Sequence, residues 1–166
     1  MNLIIQNISK EHLKSAHKIY NYYISNSYAN FEEKKISFGN FYLNYKNIIK
    51  NRLPFLVAID GEKVVGITYL NKFREKSGYR FVYENTIYIH HEYVKKGVGS
   101  KLLKELIILS KKNKKIKKIV AVISGIDSKG SINIHLKLGF KTSGTLKKIG
   151  FKNGKWIDCI LMQITV

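Results

Sequence analysis

Two glycines one residue apart, Gly97 and Gly99, separate a strand-like run ending at Ile89 from an apolar-periodic run that begins at Ser100. The whole segment, YIHHEYVKKGVGSKLL from Tyr88 to Leu103, reads as strand, loop and amphipathic helix. A glycine turn feeding a helix N-terminus presents successive backbone N–H groups and the positive end of the helix dipole, which together seat a phosphate or pyrophosphate. Lys95 and Lys96 add cationic charge to that loop. Alone, a G-x-G before a helix is more often just a turn. Glu84 is the other conspicuous residue, because it interrupts YENTIYI, an otherwise apolar and aromatic strand, in a chain with only 11 acidic residues. His90 and His91 suggest a metal at first sight, but neighbours on a strand point to opposite faces and seldom share one ion, so no metal is expected.

The elements that must position these residues follow from periodicity and turn chemistry. Leu3 to Gln6 reads as a strand, and Ser9 can cap a helix from Lys10 to about Ser25 with Leu13, Ala16, Ile19, Tyr20 and Tyr23 on one face. A second helix is expected from about Phe38 to Lys50. Phe55 to Ile59 and Lys63 to Leu70, joined at Asp60-Gly61, form a hairpin signature. A longer strand is expected from Tyr79 to Ile89, then a helix from Ser100 to Lys112 whose apolar face carries Leu102, Leu106 and Leu109. Ile119 to Ser124 reads as a buried strand, Ser131 to Leu138 as a short helix, and Phe140 to Ile149 with Trp156 to Thr165 as a closing pair of strands. This order gives an α/β (mixed α+β) sheet in one domain, residues 1–166, and excludes a Rossmann repeat.

Composition narrows the class. With 45% hydrophobic and 25% charged residues, the chain suits a soluble globular domain, and no apolar run approaches the roughly 18 residues of a membrane span. Cys159 is the single cysteine, which excludes an internal disulfide and fits a cytoplasmic protein. The formal net charge of +19 invites a nucleic-acid reading. Only Arg52, Arg74 and Arg80 among the 30 basic residues are arginines, however, and the densest run, Lys111 to Lys118, falls at a helix end where lysines are ordinarily solvated. No specific nucleic acid is therefore expected, although the charge attracts anionic small molecules.

Further blocks accompany the glycine loop: NSYANFEE at Asn26 to Glu33, LVAIDGEKVVGITYLNKFR at Leu56 to Arg74, SINIHLKLGF at Ser131 to Phe140 and GFKNGKWIDCILMQ at Gly150 to Gln163. In this order the chain resembles the GNAT superfamily of N-acetyltransferases, and within it the branch of phosphinothricin and methionine sulfoximine acetyltransferases. The resemblance implies a GNAT fold, with a mostly antiparallel twisted sheet of about six to seven strands flanked by about four helices. It implies direct transfer of acetyl from acetyl-CoA to the amine of a small amino-acid-like substrate, in a homodimer.

By the same resemblance, Lys95, Lys96, Gly97, Val98, Gly99 and Ser100 bind the CoA pyrophosphate, Ile87, Tyr88 and Ile89 pair with the pantetheine arm, and Ser128 stands where relatives carry an asparagine. Val94 departs from the Arg or Gln usual at the start of the loop. Glu84 matches the strand motif's acid and is the expected base for the amine; His135 matches the motif's histidine and is expected to protonate the thiolate or relay a proton. Phe31 and Tyr79 match aromatic positions of the acceptor pocket, and Arg74 and Lys76 match basic ones that can pair with a carboxylate or phosphinate or can equally be solvated. Acetylation of a protein N-terminus or polyamine, and a non-catalytic nucleic-acid binder on the same scaffold, are the competing readings.

Overall fold

The computed structural model describes residues 1–166. The strands are β1 (Leu3–Asn7), β2 (Phe55–Asp60), β3 (Lys63–Lys72), β4 (Val82–Ile89), β5 (Lys118–Ser124), β6 (Lys141–Lys152) and β7 (Lys155–Thr165). The helices are α1 (Leu13–Asn26), α2 (Phe38–Lys50), α3 (Val98–Lys112) and α4 (Lys129–Lys137). All seven strands join one sheet in the order β1-β2-β3-β4-β5-β7-β6, which fits the expected architecture. Every neighbouring pair is antiparallel except β4 and β5.

Alternation along β4 assigns the helices to faces. Tyr88 stacks on Tyr23 and meets Tyr20 edge-on, both on α1, while Ile89 lies beside Val98 and Leu102 of α3. Glu84, Thr86 and Tyr88 therefore face the α1 side, and Asn85, Ile87 and Ile89 the α3 side, where Asn85 also meets His135 of α4. Ile19, Phe41, Phe55, Val57, Leu102 and Leu106 belong to the apolar core, whose removal from water drives the layers together.

Several expected boundaries shift for local reasons. Residues 10–12 form a 3₁₀ turn before α1, because the Ser9 N–H donates to His12 Nδ1 at 3.1 Å and tightens the first turn. Asp60 pairs with Lys63, so Gly61, at φ +61°, and Glu62 are the turn's central residues rather than Asp60-Gly61. The strand expected from Tyr79 starts only at Val82. Ser77–Tyr79 is a 3₁₀ turn closed by Tyr79 N–H to the Lys76 carbonyl at 2.9 Å. β4 ends at Ile89, so His90 and His91 are not on a strand, and their rings stack at 4.5 Å instead of pointing apart.

The sheet's decisive feature is a split. β4 and β5 pair only at Val82 with Lys118, Tyr83 with Ile119 and Glu84 with Val120. Beyond Glu84 the two strands run on unpaired to Ile89 and Ser124, opening a wedge in an otherwise continuous sheet.

Candidate active site

Backbone alternation identifies what the split leaves free. The Phe81 carbonyl accepts from Lys117 and Lys118 on the β5 side, whereas His90 N–H donates to Val65 on the β3 side. Odd-numbered residues of β4 thus aim their peptide groups at β5; Asn85 N–H still closes the last pair, that of Glu84 with Val120, and those of Ile87 and Ile89 have lost their strand partner. The Ile89 carbonyl is taken by the Tyr23 hydroxyl, which donates at 2.6 Å. Ile87 keeps an open edge, as a strand does when it awaits an extended ligand.

A cleft of about 1120 Å³ occupies the wedge. Gly97, Gly99 and Ser100 line it where α3 begins, Ser128, Gly130 and Ser131 line it where α4 begins, and Glu84 and His135 line it near the point of splitting. Gly97 caps α3 at φ +81°, a left-handed conformation that a side chain would strain, so the expected helix start moves back to Val98. Two helix N-termini therefore border the cleft, a setting that favours an anion.

On the α1 side, burial lifts the Glu84 carboxyl above the ordinary carboxylate range, and the Arg74 charge opposes the shift. Burial pushes the Tyr88 phenol well above its usual value, so Tyr88 keeps its proton. Phe31 walls the same side, its ring so close over Gly150 that a Cβ there would lie 2.4 Å from Cε1. On the α3 side, His135 is only 1% exposed and burial pushes its imidazole below the usual histidine range, against the opposing hydrogen bond to Ser131. Both of its nitrogens are engaged: Nδ1 lies 2.7 Å from the Ser131 carbonyl and Nε2 lies 3.2 Å from Asn85 Nδ2.

The cleft gathers Phe31, Glu84, Ile87, Tyr88, Ile89, Lys95, Gly97, Gly99, Ser100, Ser128 and His135, as the sequence suggested. Lys96 instead lies over the Tyr93 ring at 5.0 Å, and the Val98 side chain is in the core. Arg74, Lys76 and Tyr79 lie in the exposed connection between β3 and β4, outside the cleft lining. Arg74 still acts on Glu84 through its charge.

Four residues escaped the sequence reading. Tyr23 holds the Ile89 carbonyl. Asn30 and Asn85 line the cleft with Nδ2 and Oδ1 unmet, each costing about 1–3 kcal/mol unless something in the cleft answers it. Lys152, 1% exposed, donates to the Ile24, Ser27 and Asn30 carbonyls at 2.7, 2.9 and 2.6 Å, fixing the segment that carries Phe31. An amide beside Glu84 in an apolar strand was a usable signal for Asn85.

Residues 16–140 match the model of the Acetyltransferase (GNAT) family. The chain belongs to the GNAT acetyltransferases. It is 32% identical over 145 residues to the phosphinothricin N-acetyltransferase of Alcaligenes faecalis, covering 87% of this chain and 73% of that one. To the L-methionine sulfoximine/L-methionine sulfone acetyltransferase of Pseudomonas aeruginosa it is 30% identical over 149 residues, with coverage of 89% and 86%. A crystal structure of a GNAT superfamily phosphinothricin acetyltransferase from Sinorhizobium meliloti with AcCoA superposes at a TM-score of 0.93 and 33% identity, covering 100% of this chain and 89% of that chain. In this GNAT chain the sheet split has Glu84 at its closed end and the α3 turn at its mouth.

Proposed function

We propose that the chain is an acetyl-CoA-dependent N-acetyltransferase acting on the amine of a small amino-acid-like substrate, by direct transfer in a ternary complex. The observation that carries this reading is the split after Glu84 and Val120, which leaves the Ile87 peptide edge open between two helix N-termini. The cleft suits the cofactor in three ways. The N–H groups of residues 97–100 suit a pyrophosphate, Lys95 brings cationic charge to the lining, and the Ile87 edge suits an amide-bearing arm. Acetyl-CoA would supply the activated acetyl thioester; its C–S bond breaks as the amide C–N bond forms, and CoA leaves as the thiolate or, on taking up a proton, the thiol.

The chain's own residues do the rest. Glu84, with its proton affinity raised by burial, takes the proton from the substrate ammonium directly or through water. A free N–H on the split side of β4 stabilises the oxyanion, an effect of about 3 kcal/mol for one donor. Phe31 shapes the acceptor side, and the charge of Arg74, with Lys76 nearby, attracts an acidic substrate group. Cys159 is buried in β7, so no acyl-enzyme is invoked. The working unit is a cytoplasmic homodimer joined through the exposed apolar residues of the β6–β7 hairpin, Ile149, Phe151 and Trp156.

Thiol release from acetyl-CoA, measured over amino acids, their sulfone, sulfoximine and phosphinate analogues, polyamines and N-terminal peptides, tests the reading. Steady release with a sulfone, sulfoximine or phosphinate amino acid is expected. Release only with peptides or polyamines would reassign the acceptor. Salt-dependent RNA retention without any turnover would replace the enzyme reading.

A further inference from the structure

We propose that His135 works through Asn85: the imidazole fixes the Asn85 amide so that its carbonyl oxygen, buried at the closed end of the cleft, is kept as acceptor for an N–H donor on a bound ligand. The inference rests on the acetyltransferase reading above and deepens it.

The argument starts at Ser131. Its carbonyl oxygen has no hydrogen, so His135 Nδ1, 2.7 Å away, must carry one. In a neutral ring Nε2 is then a bare lone pair. The group 3.2 Å from it is the Asn85 side-chain amide, and only the amide's NH₂ can answer a lone pair. Oδ1 must therefore turn the other way, and it has no protein partner there. Neither side chain has room to trade this arrangement for solvent, since His135 is 1% and Asn85 8% exposed. Burial also disfavours the imidazolium, which keeps the ring in the form that needs the NH₂.

Position gives the oxygen its use. Asn85 is the first residue of β4 beyond the last pair with β5, at the closed end of the wedge, and its side chain lies on the face opposite Glu84. A ligand N–H that reaches the buried Asn85 oxygen has Glu84 on the opposite face of β4. That N–H belongs either to the acceptor amine or to an amide of the cofactor arm. His135 is thereby a positioning residue, with no proton on the side that faces Asn85.

The test separates holding an amide from moving a proton. In His135→Gln the side-chain oxygen can still accept from the Asn85 NH₂, but it cannot exchange protons near neutral pH. We expect His135→Gln to keep about half or more of wild-type kcat/KM, and His135→Leu and Asn85→Leu to lose roughly tenfold each, with circular dichroism melts checking that each is folded. A raised KM for the acceptor assigns the N–H to its amine, and a raised KM for acetyl-CoA assigns it to the cofactor. Nitrogen-15 spectra of the ligand-free protein should give His135 as the neutral Nδ1–H tautomer in wild type and keep it in Asn85→Leu, because the Ser131 carbonyl sets it. A folded His135→Gln as inactive as His135→Leu, or an Nε2–H tautomer in wild type, would overturn the proposal. Absence of thiol release from wild type with every acceptor would overturn the acetyltransferase reading instead, while the ring tautomer, read without ligand, still judges the Asn85–His135 pair.

Discussion

Glu84 shows how one residue can serve chemistry at a cost to stability. Burial favours its protonated form, so the folded chain binds that proton more tightly than the unfolded chain. Between the ordinary glutamate value and the raised one, the native state holds more protons, and stability falls as pH rises through that window. At neutral pH the carboxylate is a desolvated charge that Arg74 only partly offsets. Glu84→Gln should therefore melt no lower than wild type at pH 7 while losing about a hundredfold or more in kcat/KM. Activity should recover partly above about pH 8, where a free α-amine sheds its own proton. A pH–rate profile with matched thermal melts checks both halves, and unchanged rates would remove Glu84 from the base role. Glu84 was legible because a carboxylate in an apolar strand is conspicuous. Lys152 was not, being one of many lysines until the fold brings it to Asn30, 122 residues away.

At the scale of elements, β6 sets the acceptor wall. Lys152 ties down the segment after α1 through three carbonyls, and Gly150, two residues earlier, leaves the space that the Phe31 ring fills. Gly150→Ala would place a methyl 2.4 Å from Phe31 Cε1, so the ring must move. We expect KM for the acceptor to rise roughly tenfold or its preference to change, a displacement worth on the order of 1–3 kcal/mol, with KM for acetyl-CoA unaltered. Steady-state kinetics with each substrate varied in turn decides it, and a matched rise in both KM values would mean that the cleft as a whole had deformed. This coupling was invisible in the sequence, where Phe31 and Gly150 lie in separate blocks. The elements themselves were largely legible, since α2 falls where periodicity places it and each strand was found. What misled was local closure: the 3₁₀ turn at Ser77–Tyr79 consumed Tyr79, which β propensity assigned to β4, and delayed the strand to Val82. The split of β4 from β5 had no sequence signal, because it consists of pairing that fails to form.

The whole molecule carries two surface features of different meaning. Its net charge of +19 comes mostly from dispersed lysines, which draw in anionic ligands without the bidentate geometry that phosphate-backbone recognition favours. The β6–β7 hairpin instead carries exposed apolar residues among its lysines. β6 ends the sheet, and Ile149, Phe151 and Trp156 are 58%, 50% and 62% exposed. Phe151 and Trp156 are cross-strand partners with rings 5.1 Å apart, so they form a patch rather than scattered residues. An unpaired edge bearing such a patch invites a second chain. Wild type should therefore sediment at about twice 19.2 kDa at micromolar concentration, and Phe151→Ser combined with Trp156→Ser should sediment at 19.2 kDa. Since these side chains contribute little to the protomer's core, the monomeric variant should remain folded. Phe151 adjoins Gly150, against which Phe31 rests, so separating the chains should weaken acceptor binding more than acetyl-CoA binding. A wild type that sediments as a 19.2 kDa monomer would leave the patch without its partner and the acceptor wall dependent on β6 alone.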